Sequence, residues 1–251
     1  MVKKGVWEVK LVQLNMWAGR LDRQISAFLS AEKPDLICLQ EAISFERRDA
    51  GMFLSVENIQ ALLDMPYSVL APVFSFRLMN GVAKFGNAIV SLIPIQKSEV
   101  VFTHLEHKDD FDFNEHNANA RNFVHAAIKV NGKIINVITH HGYHIKEHKN
   151  GDTETLRQMK ILSEYIGSLN DGIIVTGDFN LVPQSKSLEQ INQKLTNLSA
   201  THKLKTTRTH LTHKTEVCDY IFVNDKIKVR SFTASDELIS DHKALILEFD
   251  A

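Results

Sequence analysis

The sequence predicts an α/β fold in which two packed sheets carry helices on their outer sides, in one domain spanning 1–251. Three observations predict it. The N-terminal segment reads strand–helix–strand. A hairpin is marked by Asn131-Gly132, a strong two-residue turn signal. Further apolar strand runs follow to the C-terminus, with no linker, repeat or low-complexity tract between them.

Trp7 to Asn15 alternates as a half-buried strand does. Leu21, Ile25, Phe28 and Leu29 then recur at helical spacing, and Pro34 opens a strand over Asp35–Gln40. If the two strands are parallel neighbours, Asn15 and Glu41 lie on one sheet edge. A helix is expected from Ser55 to Met65, then short strands at Tyr67–Ala71, Ala88–Ile93 and Val100–Thr103. His104 to Asn122 has little apolar content and reads as a long loop, either functional or a surface excursion.

Arg121–Val130 and Lys133–Thr139 flank the Asn131-Gly132 turn. Asp152 or Thr153 can cap the next helix, whose stripe is Leu156, Met159, Leu162, Ile166 and Leu169. Gly172–Thr176 is a continuous apolar strand. Glu216–Val223, Val229–Ala234 and Ala244–Phe249 complete the strands.

Composition narrows the class. At 251 residues the chain can bury a sizeable core, and 44% hydrophobic with 24% charged residues is ordinary for a soluble protein. The 29 Lys+Arg nearly cancel 30 Asp+Glu, which argues against a uniformly cationic nucleic-acid-binding surface. Lys3 and Lys4 are followed by an alternating run rather than an apolar targeting segment, and no apolar run reaches membrane-spanning length. Cys38 and Cys218 sit in apolar strand runs, the usual place of buried free thiols. A cytoplasmic protein, expected to be a monomer, fits these features.

Five polar motifs occur in order: Leu14-Asn15, Leu39-Gln40-Glu41, Thr139-His140, Gly177-Asp178-Phe179-Asn180 and Ser240-Asp241-His242. Each ends or flanks a strand-like run, so their side chains can share one cleft. Carboxylates, amides and imidazoles together suit a divalent metal site that attacks a phosphate ester. Asp178 and Asn180, two apart on an extended segment, would point the same way.

With the Gly86-Asn87-Ala88-Ile89-Val90-Ser91 block and Asp219-Tyr220, these motifs resemble the endonuclease/exonuclease/phosphatase superfamily over nearly the whole chain. The resemblance implies a four-layer α/β/β/α sandwich, two mixed sheets flanked by helices. It implies Mg2+-dependent hydrolysis of a phosphate ester by direct attack of water, with Mn2+ a possible substitute. Glu41 would be the main metal ligand, with Asn15 and Asp241 also in the metal set. Asp178 would orient or deprotonate the water, and Asn180 would hold it or a phosphoryl oxygen. His242 would contact the scissile phosphate, oriented by Asp219, and His140 would donate to the phosphate as charge builds. Thr139-His140-His141 carries a doubled histidine where the family shows one followed by an apolar residue, and His140 is assigned because it follows Thr139.

A rival reading is zinc binding by His140, His141, His144 and His148, but their spacing is not that of helical ligand pairs and Gly142 interrupts it. The segment His202–Lys214 holds Lys203, Lys205, Arg208 and Lys214 with no acidic residue, and is expected either to overhang the cleft or to be a solvated loop. Glu216-Val217-Cys218 replaces the Arg-containing lead-in usual in abasic-site endonucleases. The partner is a phosphate-ester substrate, with nucleic acid among the candidates. A phosphodiesterase or nuclease leads, and a lipid or inositol-phosphate phosphatase is the alternative. A non-catalytic scaffold is disfavoured because Glu41, Asp178 and His242 are all present.

Overall fold

The structure, a computed structural model, describes residues 8–45, 53–78 and 81–250. The expected start of the first strand at Trp7 lies outside them. The elements are β1 (Glu8–Asn15), α1 (Asp22–Glu32), β2 (Leu36–Phe45), α2 (Val56–Leu63), β3 (Tyr67–Leu78), β4 (Gly81–Ser91), β5 (Ile95–His104), β6 (Arg121–Val130), β7 (Lys133–His141), α3 (Thr153–Gly167), β8 (Gly172–Asp178), α4 (Glu189–Asn192), β9 (Thr196–Asn197), α5 (Leu198–Thr201), β10 (Asp219–Val223), β11 (Lys228–Ala234) and β12 (Leu245–Asp250).

They form two six-stranded sheets, ordered β11-β12-β1-β2-β4-β3 and β5-β6-β7-β8-β10-β9. Each is mixed. β1 and β2 run parallel, as do β7 and β8. Every other strand-to-strand pairing within these sheets, among the described residues, is antiparallel. A helix joins each parallel pair, because a parallel return needs a long crossover.

Period-two alternation sorts the apolar side chains into layers. Between the sheets, Val9, Leu11, Leu36 and Cys38 meet Val124, Ala126, Ile135, Val137, Ile174 and Ile221. On the outer face of the first sheet, Val12, Leu14, Ile37 and Leu39 meet Ile25, Phe28 and Leu29 of α1 and Val56 and Ile59 of α2. On the outer face of the second, Ile138, Ile173 and Val175 meet Met159, Leu162 and Ile166 of α3. This is the four-layer α/β/β/α sandwich. Each fully buried Leu, Ile or Phe contributes roughly 1.5–3 kcal/mol.

Several elements follow from local chemistry. Asp152 caps α3 by accepting from Thr155 N–H at 2.9 Å, and Ser55 caps α2 the same way. The Asn131-Gly132 turn has φ of 51° and 83°, the two left-handed residues a tight hairpin demands. Leu156 departs from expectation: it is exposed, and the α3 stripe starts at Thr155 and runs through Gln158 and Met159.

β3 and β4 are longer than the sequence suggests. Pro72 masks the continuation of β3, but β3 is the outermost strand, where a missing N–H is tolerated, and its register shifts between Pro72 and Phe74. The loop after β5 covers that edge. Ser75 N–H donates to Lys108 O at 2.9 Å and Lys108 N–H to Val73 O at 3.2 Å. Phe111 stacks on Phe74 with ring centroids 4.2 Å apart. The loop's far end is pinned by Asn119, which exchanges hydrogen bonds with the His144 main chain.

Candidate active site

At one end of the inter-sheet layer the alternating positions turn from apolar to polar. On β1, Val9 and Leu11 lie in the core, and the next two residues of that face are Gln13 and Asn15. On β7, Ile135 and Val137 give way to Thr139 and then His141. On β8, Ile174 gives way to Thr176 and Asp178. β10 runs antiparallel and starts with Asp219, opposite Asp178. Both parallel pairs therefore deliver polar side chains at their C-terminal ends.

Glu41 is not at a strand end. It sits inside β2 at a register shift between Leu39 and Ala42, with φ of 51°. The bulge re-aims its side chain towards Asn15, whose Nδ2 donates to Glu41 Oε1 at 3.3 Å and to Asp178 Oδ2 at 3.2 Å. The Asn15 oxygen accepts from Trp17 N–H at 3.2 Å, so Asn15 faces Glu41 as a donor; ligating a metal would require it to release that N–H. Burial raises the Glu41 pKa, and Asp241 and Asp178 add to the rise against His242 and Asn15.

Gly177 has φ of 147°, and a Cβ there would fall 1.9 Å from His140 O, so only glycine lets β8 approach β7 here. Asp178 Oδ1 then accepts from Asn180 N–H at 2.9 Å. This turn sets Asn180 at φ 55°. The two side chains thus meet through a side-chain-closed turn rather than through extended alternation. Lys149 Nζ donates to Asn180 Oδ1 at 2.8 Å, and Asn180 Nδ2 donates to Gly142 O at 3.2 Å. Burial lowers the Lys149 pKa to about 8. Burial alone would raise Asp178, but His242, Arg208 and His141 outweigh it and hold the carboxylate ionised, well below its usual range.

His242 precedes β12. Its Nδ1 lies 2.9 Å from Asp219 Oδ2, and its Nε2 lies 3.6 Å from Asp178 Oδ2. Burial would lower its pKa, yet Asp219 and Asp178 carry it above the usual value. Asp219 is held in turn by the Thr207 hydroxyl at 2.6 Å and by Gln13 Nε2 at 3.3 Å. Gln13 Nε2 also donates to Gln40 at 2.7 Å, and Gln40 donates to Thr139 at 2.6 Å, so a buried polar chain ties the two sheets beneath the site. Ser240 anchors the last motif, donating to Asn15 O at 2.7 Å. Asp241 stands beside it, with Oδ2 4.0 Å from His242 Nε2.

The doubled histidine divides between the two faces of the sheet. His140 is fully buried with its ring edge-on to Phe179, 5.2 Å between centroids, on the α3 side of the sheet. Burial lowers its pKa to about 4, against a backbone hydrogen bond to Asn122. His141 takes the inter-sheet face, with Nε2 3.8 Å from Asp178 Oδ2. Burial and Arg121 push the His141 pKa well down. The reason is the alternation itself: Thr139 faces Gln40 across the sheets, so the residue on its face is His141. His148 is exposed and His144 is held through its main chain, so the four histidines do not converge.

Arg208, Lys149, Thr207, Gln13 and His141 were not assigned to the site from sequence. Arg208 stood only in a basic segment, yet it is buried with Nη1 against the His242 ring. Lys203 and Lys205 of that segment stay exposed.

Among the described residues, Asp178, Asp219 and His242 each offer a ligand atom within 4.8 Å of one another. The donor chemistry also fits a hard cation beside Glu41 and Asp241. Burial raises the Glu41 pKa against the pull of His242 and the Asn15 hydrogen bond, and Asn15 is its side-chain hydrogen-bond partner among the described residues. Asp219 is already saturated by His242, Thr207 and Gln13.

The Endonuclease/Exonuclease/phosphatase family matches residues 12–242, an interval that contains every residue of this site. The chain belongs to that family. Its members are metal-dependent phosphoester hydrolases. No curated protein matches the chain. Solved structures of similar fold include an endonuclease/exonuclease/phosphatase from Beutenbergia cavernae, with TM-score 0.72 and 15% identity over 97% of this chain and 71% of that one. A humanized D. rerio TDP2 has TM-score 0.69 and 13% identity over 97% of this chain and 99% of that one. A Bacteroides thetaiotaomicron mannosyl-6-phosphatase has TM-score 0.67 and 16% identity over 97% and 100%. No helix among the described residues is long and apolar enough to cross a membrane.

Proposed function

We propose that this endonuclease/exonuclease/phosphatase-family chain is a Mg2+-dependent phosphodiesterase or nuclease that hydrolyses its substrate by direct attack of water. One observation carries the reading: His242 is held between Asp219 and Asp178, within 3.6 Å of the latter, while Asp178 stays ionised. Asp178 orients the water and accepts its proton. Asn180, with its oxygen fixed by Lys149, presents its amide to the water or a phosphoryl oxygen. Asp219 fixes the His242 tautomer, and His242 supplies positive charge and a proton to the phosphate side. The part first given to His140 passes to His141, which burial keeps neutral and able to donate one N–H to a phosphoryl oxygen.

Glu41 and Asp241 would hold the metal, with Asn15 steadying Glu41. When bound, the metal neutralises phosphoryl charge and acidifies water. Ser240, beside His242, has its hydroxyl committed to Asn15 O and the His242 main chain. Cys38 and Cys218 are buried, and burial pushes both thiols up to about 12. Hydrolysis without a covalent enzyme intermediate follows.

A second reading, a phosphatase for lipid or inositol phosphates, is favoured by the buried cations Arg208 and Lys149, which suit a dianionic phosphomonoester. Similar folds include both a TDP2 complexed with single-strand DNA product and a mannosyl-6-phosphatase. The deciding experiment is a panel of labelled DNA, RNA, phosphotyrosyl-DNA, inositol phosphate and sphingomyelin with Mg2+ or Mn2+. Diester cleavage supports the first reading, monoester cleavage alone the second. No hydrolysis of any member, with metal bound, rejects both.

A further inference from the structure

Arg208 is a buried cation at the site whose hydrogen bonding does not close. Its residue is 5% exposed, and its Nε has no partner. Nη1 lies against the His242 ring rather than a carboxylate. No ion pair within 4.0 Å joins it to a carboxylate of the described residues. Its backbone is not free to wander: Arg208 bridges His242, Thr209 N–H donates to Asp241 O at 3.1 Å, and Lys243 N–H donates to Thr207 O at 2.8 Å.

A buried guanidinium with an open donor is costly, and removing an acceptor from such a donor typically costs about 1–3 kcal/mol or more. Asp178, Asp219 and Asp241 stabilise its charge at longer range, but none takes its hydrogen bonds. The planar fork matches two oxygens of a phosphate better than it matches an imidazole. The place it faces is shared with His242, whose Nε2 lies 3.6 Å from Asp178.

We propose that Arg208 binds the scissile phosphate, with Nε–H and an Nη–H each donating to a non-bridging oxygen. In the free protein the same Nη1–H rests on His242. Substrate phosphate would draw the fork off the imidazole and leave His242 to face the ester. This rests on the phosphoester-hydrolase reading. The opposing role is internal charge compensation for Asp178 and Asp219, with no contact to substrate.

The test compares wild type, Arg208→Lys and Arg208→Gln with Mg2+ on bis(p-nitrophenyl) phosphate, with inorganic phosphate as inhibitor and melting temperature as control. Losing a charged hydrogen-bonding pair should raise KM and the phosphate inhibition constant about ten- to hundredfold in Arg208→Gln. Arg208→Lys should recover only part, because it keeps the charge and loses the fork. A lowered melting temperature with KM and the inhibition constant within about twofold of wild type would assign Arg208 to charge compensation and overturn the proposal.

If the variants do not fold, the wild-type protein still decides. The Arg208 Nε–H resonance, linked through its own side chain to its backbone, should move as inorganic phosphate is added with Mg2+. A resonance that stays put at saturating phosphate overturns the proposal. A resonance that moves in a protein that hydrolyses no ester sustains the phosphate seat and rejects the hydrolase reading instead.

Discussion

The two strand–helix–strand units, β1-α1-β2 and β7-α3-β8, are alike in plan and opposite in chemistry. Each sends polar residues out of the inter-sheet core at the ends of a parallel pair. The first delivers Asn15 and Glu41, which share a hydrogen bond, and burial raises the Glu41 pKa against the pull of His242. The second delivers His141 and Asp178, among Arg208, Lys149 and His242. One half has a carboxylate whose burial outweighs the positive charge around it. The other has a carboxylate already saturated with cations. On the function proposed above, this difference would divide the labour: the first half would hold a metal and the second would handle water and phosphate.

The largest expected effect is at the second half. Asp178→Ala and His242→Ala should each lower kcat by roughly 10²–10⁴-fold, the usual worth of a positioned acid–base group. The double variant should lose less than the product of the two, since both act on one phosphate. Steady-state kinetics on a competent substrate check this, and multiplicative losses would show that the two act separately.

The histidine pair sharpens the division further. His141→Ala should cost kcat at least about a hundredfold with little loss of stability. His140→Ala should do the reverse, destabilising the fold by roughly 2–5 kcal/mol as buried large-to-small changes do, while folded protein keeps kcat within about tenfold. Kinetics and denaturant melts on the pair measure both, and a large kcat loss in His140→Ala alone would restore the register first read from Thr139.

The smallest effect is on pH dependence. Burial holds His140 neutral in the fold, with a pKa of about 4 against about 6.5 unfolded. Between those values the unfolded chain binds more protons, so the stability His140 contributes is lost as pH falls from about 6.5 towards about 4. His140→Phe should remove one proton's share of that slope. Melts across that range check it, and an unchanged slope would place the ring in contact with water.

Much of this was legible in the sequence. The hairpin at Asn131-Gly132 was, because its turn chemistry is local. The terminal placement of Asn15 and Asp178 was, because apolar strands end there, whereas His242 lies in the loop before β12 rather than at a strand's end. What escaped was non-local or hidden by exceptions. Pro72 disguised a long edge strand. Glu41 lay at a bulge that extends β2 by four more residues, to Phe45. Arg208 and Thr207 sit in an irregular segment with no periodicity, and only the bridge to His242 reveals them. α4, β9 and α5 are too short to carry a pattern. His141 was readable in principle, since Ile135, Val137, Thr139 and His141 are one alternating face, but motif matching by adjacency favoured His140.

The division of labour is tested most directly by titrating Mg2+ against the hydrolysis rate of Glu41→Gln and Asp178→Asn. Glu41→Gln should lose activity at low Mg2+ and recover much of it as Mg2+ rises, because metal affinity is what it lacks. Asp178→Asn should stay inactive at every Mg2+ concentration. Recovery of Asp178→Asn by excess Mg2+, with Glu41→Gln unresponsive, would contradict the division and move the metal to Asp178, Asp219 and His242.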